Sequence, residues 1–279
     1  MIKLRLYYRF KKICMYKLAV VGNPIAHSLS PVIFGEFGKQ TGINLEYHKI
    51  CASLDEFEKV VRDFFNEGGH ALNITAPFKA RAYAMANRHL AHTVIPQTAN
   101  VLLQDNNLLV ADNTDGLGLV ADLDRSGVVL QGKNILILGS GSVIYSVLHS
   151  LEIARPARVD LLMRNSDKLD EFMAKSSLLD SYNPDISYDL IINTTPNVPD
   201  NSLFQKVVRI DKSACAYDMI YTASKTLFMQ QMEQLSSNVK LLNGLGMLIQ
   251  QAKFGFKTMF GIEPMVDSLY PLLEEKING

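Results

Sequence analysis

No tryptophan occurs in this chain of 279 residues, cysteine occurs three times, and neither charge sign prevails. Each shortage removes a class of function. Cys14, Cys51 and Cys215 stand far apart, so neither a disulfide framework nor a zinc site is encoded. Three lone thiols suit a reducing cytoplasm, which is the expected location. Lys and Arg total 28, as do Asp and Glu, and the formal net charge is zero. With no basic excess, no nucleic-acid partner is expected, and binding a small anion would require a local cluster of positive charge. No apolar run approaches the ~18 residues of a membrane span, so no membrane partner is expected either. Internal repeats and low-complexity tracts are also lacking. The composition that remains is 48% hydrophobic and 20% charged, enough to bury a core in one large or two ordinary domains.

Residues 1–14 are basic and tyrosine-rich but have no apolar h-region and no small-residue cleavage site, so no signal peptide is expected. Regular patterning begins at Met15, and residues 1–14 are read as a disordered extension or an over-extended reading frame. Lys17 to Val21 reads as a strand that Gly22-Asn23-Pro24 ends. A loop leads through Ser28-Leu29-Ser30-Pro31 into a helix from about Val32 to Gln40. Two readings of this loop stay open. Ser30 caps the helix with Pro31 at its first position, or Ser28 and Ser30 both aim hydroxyls at a carboxylate or hydroxyl ligand.

Leu45 to Cys51 reads as a second strand, and Leu54 to Glu67 as an amphipathic helix with Phe57, Val60, Val61 and Phe64 on its apolar face. Ala71 and Leu72 then lead into Asn73-Ile74-Thr75-Ala76-Pro77-Phe78-Lys79. Pro77 lacks an N–H and cannot continue an interior strand. Asn73, Thr75 and Lys79 are therefore expected at the C-terminal end of a strand, the edge where open α/β sheets collect ligands. A helix is predicted on to about His92, with His89 and His92 on one face. With no carboxylate or cysteine near them in sequence, no metal is expected there. Thr98 to Leu102 opens a hairpin whose turn is Asp105-Asn106-Asn107. Asn113-Thr114-Asp115-Gly116 then precedes a helical stretch from Leu117 to Arg125.

Past Gln131-Gly132-Lys133 the pattern changes. Asn134 to Leu138 is a continuous apolar run, as expected of a strand buried on both faces of a parallel sheet. Gly139-Ser140-Gly141-Ser142 follows, then a helix from Val143 to Glu152. Strand, Gly-x-Gly and helix in that order form a dinucleotide fingerprint in its required context. Val159 to Met163 is the next strand and ends at Arg164, with Lys168 shortly after. Arg164 either meets the 2′-phosphate of NADP or is a solvated surface residue. Leu190 to Ile192, ending in Asn193-Thr194-Thr195-Pro196, and Cys215 to Ile220 are further strands. Leu241 to Gly246 leads into a helix from Met247 to Phe260, and a last helix spans roughly Pro264 to Lys276. Such alternation argues an α/β fold with a parallel sheet.

Taken together, these segments resemble the shikimate dehydrogenase family. The matching pieces are Gly22 to Pro31, Asn73 to Lys79, Asn113 to Gly116, Tyr217-Asp218-Met219-Ile220-Tyr221 and Asn243-Gly244-Leu245-Gly246-Met247-Leu248, with Gln251 just beyond. They run in order over essentially all of Met15 to Gly279. The resemblance implies an α/β substrate domain (15–114 plus 244–279) completed by C-terminal helices, and an inserted Rossmann-like NADP domain (115–243). It also implies reversible reduction of 3-dehydroshikimate to shikimate with NADP(H), a step toward chorismate and the aromatic amino acids, in a monomer or homodimer. By position, Lys79 and Asp115 would be catalytic, with Lys79 protonated in the reduction direction and oriented by Asp115. Ser28 and Ser30, helped by Tyr221, would bind the substrate carboxylate, and Thr75, Lys79, Asn100, Asp115 and Gln251 would hold the ring hydroxyls. Gly139, Ser140, Gly141, Ser142, Val143, Arg164, Lys168, Asn193, Thr194, Met219 and Gly244 would bind the cofactor. Ser at both 28 and 30 resembles the shikimate-specific branch; quinate-using relatives often carry Thr at the second.

The chain departs from the family pattern on the cofactor side. Gly-Ala-Gly-Gly-Ala and a small residue become Gly139-Ser140-Gly141-Ser142-Val143-Ile144. If position 142 requires φ > 0, Ser there costs about 1–2 kcal/mol. Ile144 replaces a small residue at the helix–strand contact, where overpacking costs ~1–3 kcal/mol unless the helix shifts. Asn-Arg-Thr becomes Met163-Arg164-Asn165, and a usual glycine becomes Val198. The substrate side keeps its pattern intact.

Overall fold

The computed structural model describes residues 15–164, 168–174, 176–196 and 202–278; the expected extension at 1–14, Asn165 and Val198 lie outside them. The first half forms β1 (Tyr16–Gly22), α1 (Ser30–Thr41), β2 (Leu45–Cys51), α2 (Phe57–Asn66), β3 (Ala71–Ile74), α3 (Lys79–Met85), β4 (Arg88–His89), α4 (Ala91–Val94), β5 (Val101–Asp105) and β6 (Leu108–Asp112). The strands make one sheet in the order β2-β1-β3-β5-β6-β4. Asn106 and Asn107 take φ of 48° and 68°, so the hairpin between β5 and β6 closes through a two-residue turn of left-handed residues. That turn organises the site. β5 runs antiparallel to β3 with Val101 opposite Asn73, and β6 returns with Asp112 opposite Val101. The end of β3, the start of β5 and the end of β6 therefore meet at one edge.

The chain continues through α5 (Asp115–Arg125), β7 (Asn134–Leu138), α6 (Val143–Ala154), β8 (Arg158–Leu162), α7 (Leu169–Met173), β9 (Leu179–Ser181), β10 (Tyr188–Asn193), β11 (Ile210–Asp218), α8 (Leu227–Leu235) and β12 (Lys240–Asn243). These strands form an all-parallel sheet in the order β12-β11-β10-β7-β8-β9. Alternation along β7 serves two cores. Ile135 and Ile137 pack with Val147, Leu148 and Leu151 on one face, and Leu136 and Leu138 with Tyr188 and Phe228 on the other. An unbroken apolar run is what a strand covered on both sides needs. The chain then returns through α9 (Leu245–Phe260) and α10 (Leu269–Asn278). Ile249, Phe256, Met259, Leu269 and Leu273 share a core with Leu18, Ile33, Phe34 and Val101 of the first half. The expected α/β architecture of two sheets, the first completed by C-terminal helices, is the one observed. Among the described residues no helix is long and apolar enough to cross a membrane.

Two local expectations fail. The helix predicted from Lys79 to His92 ends at Met85, because the chain after it pairs with β6: Asn87 N–H donates to Leu109 O, and Leu109 N–H to Asn87 Oδ1. His89 and His92 consequently share no helix face. His92 also has the carboxylate neighbour that its sequence surroundings lacked, with Nδ1 3.2 Å from Asp112 Oδ1. That hydrogen bond raises the His92 pKa above its ordinary value, against the opposing effect of burial. Among the described residues no three His, Cys, Asp or Glu side chains gather as metal ligands would.

Candidate active site

A cavity of about 390 Å³ opens at the C-terminal edge of the first sheet. Ser28, Ser30, Thr75, Lys79, Asn100, Asp115, Tyr221 and Gln251 all line it, although they come from seven separate segments. Thr75 stands just past β3, Asn100 just before β5, and Asp115 opens α5, so the antiparallel hairpin alone unites three of them. Lys79 is the first residue of α3, where a cation opposes the helix dipole. Asp115, in the first turn of α5, is favoured by its own helix and offsets that penalty. The Lys79 ammonium donates to Asp115 Oδ2 at 2.7 Å, with the lysine side chain 19% exposed and the aspartate 8%. In such shielding the pair attracts far more strongly than a surface pair.

Asp115 is held in turn. Its Oδ1 accepts from Asn100 Nδ2 at 2.9 Å, and the same amide lies 3.0 Å from Thr114 Oγ1 and 3.1 Å from Gln251 Oε1. Asn100 Oδ1 accepts from the Thr114 N–H at 2.9 Å, and Thr114 Oγ1 donates to Gln251 O at 2.9 Å. Lys79 and Asn100 thus fix the two oxygens of one carboxylate, and Thr114 and Gln251 fix Asn100.

At the two serines, the capping alternative for Ser30 does not hold. Ser30 lies inside the first turn and makes no side-chain cap; instead Ser28 Oγ accepts the Ser30 N–H at 3.3 Å and donates to Ser30 Oγ at 3.2 Å. Burial raises the Tyr221 phenol above its ordinary range, so it serves as a neutral hydrogen-bonding group. The reading from sequence put Asn73 at the ligand-collecting edge without a specific role and gave none to His27 or Met247, all three of which line the cavity, nor to Tyr47, which donates to Asn73 Oδ1 at 2.8 Å. Asn73 and His27 sat inside the matched motifs and were open to detection. Tyr47 carried no signal, because its contact crosses an intervening strand.

Of the residues expected at the cofactor, Met219 and Gly244 line the same cavity. A Cβ on Gly244 would strike the Met219 carbonyl, so the glycine permits that close approach. Gly139, Ser140, Gly141, Ser142, Val143, Arg164, Lys168, Asn193 and Thr194 stand apart from it, along the C-terminal edge of the second sheet. Gly139 has φ of 129°, and a Cβ there would meet Thr194 Oγ1. Ser142 has φ of −62°, so the penalty expected for a left-handed serine does not arise. Ile144 is fully buried in the core that contains Ile137 and Leu161. The side chains of Asn193 and Thr194 face inward: Asn193 Nδ2 donates to Asp218 Oδ1 at 3.1 Å, and Thr194 Oγ1 donates to Leu138 O at 2.8 Å.

The N–H groups of residues 140–143 donate to no backbone carbonyl among the described residues, and a Cβ on Gly141 would meet open space. Unpaired N–H groups at the head of a twelve-residue helix, with the cations Arg164 and Lys168 on the next βα connection, fit a phosphate-bearing dinucleotide.

Comparison with known proteins agrees with this geometry. Residues 20–102 match the family described as the shikimate dehydrogenase substrate binding domain. The chain is 37% identical over 271 residues to a protein of Janthinobacterium sp. (strain Marseille) named shikimate dehydrogenase (NADP(+)), covering 93% of this chain and 97% of that one. A protein of the same name from Cupriavidus necator is 34% identical over 273 residues, 89% of this chain and 90% of its own. Among solved structures, an Ael1 enzyme from Pseudomonas putida superposes with a TM-score of 0.82 at 29% identity, over 95% of this chain and 98% of that one. Identity at this level, sustained over nearly the whole of both chains, means that this chain belongs to the shikimate dehydrogenase family.

Proposed function

We propose that the chain reversibly reduces 3-dehydroshikimate to shikimate with NADPH in the cytoplasm, a step of the shikimate pathway toward chorismate and the aromatic amino acids, and that Lys79 and Asp115 are its catalytic pair. The observation that carries this reading is the shielded 2.7 Å contact between Lys79 and Asp115 in the wall of a cavity that Ser28 and Ser30 also line. NADPH, when bound, supplies the hydride that turns the ketone into an alcohol. Negative charge then grows on the ketone oxygen, and the Lys79 ammonium stabilises it and delivers a proton. In the reverse direction Lys79 receives that proton. Asp115 keeps the ammonium aimed, and Asn100 and Gln251 keep Asp115 in place. Ser28, Ser30 and Tyr221 bind the substrate carboxylate; Thr75, Asn100 and Gln251 bind ring hydroxyls.

On the cofactor side, the N–H groups of residues 140–143 hold the pyrophosphate and Gly139 makes the turn that aims them. Arg164 and Lys168 meet the 2′-phosphate, Asn193 and Thr194 brace the loop from beneath, and Met219 and Gly244 complete the set beside the cavity. The division into 15–114 plus 244–279 and 115–243 places the catalytic pair where the two parts meet. The test is NADPH oxidation with 3-dehydroshikimate, run beside NADH and beside quinate with NADP. NADPH-specific turnover is the expected result. Absence of turnover while shikimate still binds by calorimetry would overturn the catalytic assignment, and equal use of quinate would overturn the substrate assignment.

A further inference from the structure

Asn113 opens one of the matched motifs, yet no role falls to it in the assignments above. β6 ends at Asp112 and α5 opens at Asp115, so Asn113 lies in the two-residue link that leaves the first sheet. It is 2% exposed and stands outside the cavity lining. Both ends of its amide are used. Oδ1 accepts the Asp115 N–H at 3.1 Å, an Asx turn that starts α5 where the Thr114 side chain makes no cap. Nδ2 donates to Thr98 O at 3.0 Å, with Thr98 Oγ1 at 2.8 Å, and to Ser146 Oγ at 2.9 Å. A main-chain N–H only donates and a main-chain carbonyl only accepts, so these partners fix which way the amide points. The Asn113 N–H donates to Asp112 Oδ1 at 2.8 Å, and Thr258 Oγ1 of α9 donates to Asp112 Oδ2 at 2.6 Å. Asn113 is thereby anchored in the first half of the molecule.

Ser146 belongs to the other half. It lies in the first turn and a half of α6, just beyond the N–H groups of residues 140–143 that the proposed function gives to the pyrophosphate. At the same place α5 and α6 meet main chain to main chain, since a Cβ on Gly116 would strike Ser146 O. One buried amide therefore holds both the main chain of Asp115 and the helix whose head faces the dinucleotide. Hydride transfer needs that spacing to be exact, because a misplacement of about 1 Å can cost about 10²-fold in rate.

We propose that Asn113 and Ser146 are positioning residues, whose hydrogen bond holds α6 at one spacing from Asp115 and so sets the distance between the cofactor and the ketone, without touching either. This deepens the proposed function and rests on it. The test is Ser146→Ala, which removes one hydroxyl and leaves Asn113 its bonds to Thr98 and Asp115. In single-turnover stopped-flow, hydride transfer from NADPH to 3-dehydroshikimate should slow by roughly 3- to 10-fold, as the loss of one neutral hydrogen bond predicts. The Kd values of NADPH and of shikimate, each measured alone by calorimetry, should stay within about two-fold, because neither ligand meets the altered group. General loosening of the fold would not produce that split. In an Asn113→Ala background Ser146→Ala should add nothing, because the donor is gone. Ser150→Ala is the control: four residues on along the same face of α6 and buried like Ser146, it is not a partner of Asn113 and should leave the rate unchanged. An unchanged single-turnover rate in Ser146→Ala, equal slowing in both backgrounds, similar slowing in Ser150→Ala, or a clear rise in either Kd would overturn the assignment. Should Asn113→Ala fail to fold, Ser146→Ala beside Ser150→Ala decides alone. If the unaltered protein transfers no hydride to 3-dehydroshikimate, the proposed function fails and this assignment with it. Transfer that persists but is indifferent to Ser146→Ala removes this assignment alone.

Discussion

Around Lys79 and Asp115 the groups presented to the cavity are side chains, fixed by contacts from distant segments, whereas residues 139–142 present mainly main chain at the head of α6. Asp115 depends on Asn100, Asn100 on Thr114, and Thr114 on the Gln251 carbonyl. Removing the side chain of Asn100 or Thr114 leaves a shielded partner unsatisfied, at about 1–3 kcal/mol. The loop at 139–142 offers N–H groups, which every residue but proline carries. A site built from side chains is intolerant of substitution, and a site built from main chain asks only that the backbone conformation be reachable. This contrast accounts for a chain that keeps the family pattern at the substrate while altering it at the cofactor.

The largest effect is expected on the side-chain site. Lys79→Ala removes the proposed proton donor and leaves Asp115 without its cation, and kcat should fall by about 10²- to 10⁴-fold. The KM for NADPH should change little, because the 139–142 loop, Arg164 and Lys168 stand along another sheet. Steady-state kinetics with both substrates varied would check this. Retention of full turnover would break the comparison at its stronger end.

Gly139→Ala carries the next largest effect and tests whether the main-chain site has a conformational requirement. With φ of 129° and a Cβ aimed at Thr194 Oγ1, the substitution is strained on both counts. Such backbone strain is of order 1–3 kcal/mol. Thermal unfolding should shift down, and the KM for NADPH should rise while shikimate binding in calorimetry is retained. A variant with unchanged stability and unchanged cofactor use would show that the loop geometry is not what holds the dinucleotide.

Much of this arrangement was legible in the sequence wherever the controlling physics is local. Pro77 marked the end of β3, Asp105-Asn106-Asn107 marked the hairpin turn, and the apolar run of β7 announced a strand buried on both faces. Tertiary effects were hidden. The break after Met85 depends on pairing with β6, and β12 and β9 are short edge strands with little alternation to read. The pattern likewise could not show that Asn193 and Thr194 turn their side chains inward, since a strand-end Asn-Thr has the same spelling whether it faces a ligand or the neighbouring strand. Tyr47 was invisible for a similar reason: Asn73 stands 26 positions further along the chain and a whole strand away in the sheet.

The smallest expected effect is the most discriminating between the two kinds of site. Ser142 departs from the family glycine, yet its φ of −62° and ψ of −18° are open to any residue. Restoring glycine by Ser142→Gly should therefore gain nothing. At a helix start such a change costs only about a few tenths of a kcal/mol, so thermal unfolding should move little and the KM for NADPH should stay within about two-fold. A clear fall in that KM would mean that the serine side chain, rather than the main chain, limits cofactor binding. The rule separating the two sites would then fail where the sequence departs from its family most visibly. An unchanged KM, set beside a damaged Gly139→Ala, would place the requirement on one dihedral angle and leave residue 142 free to vary.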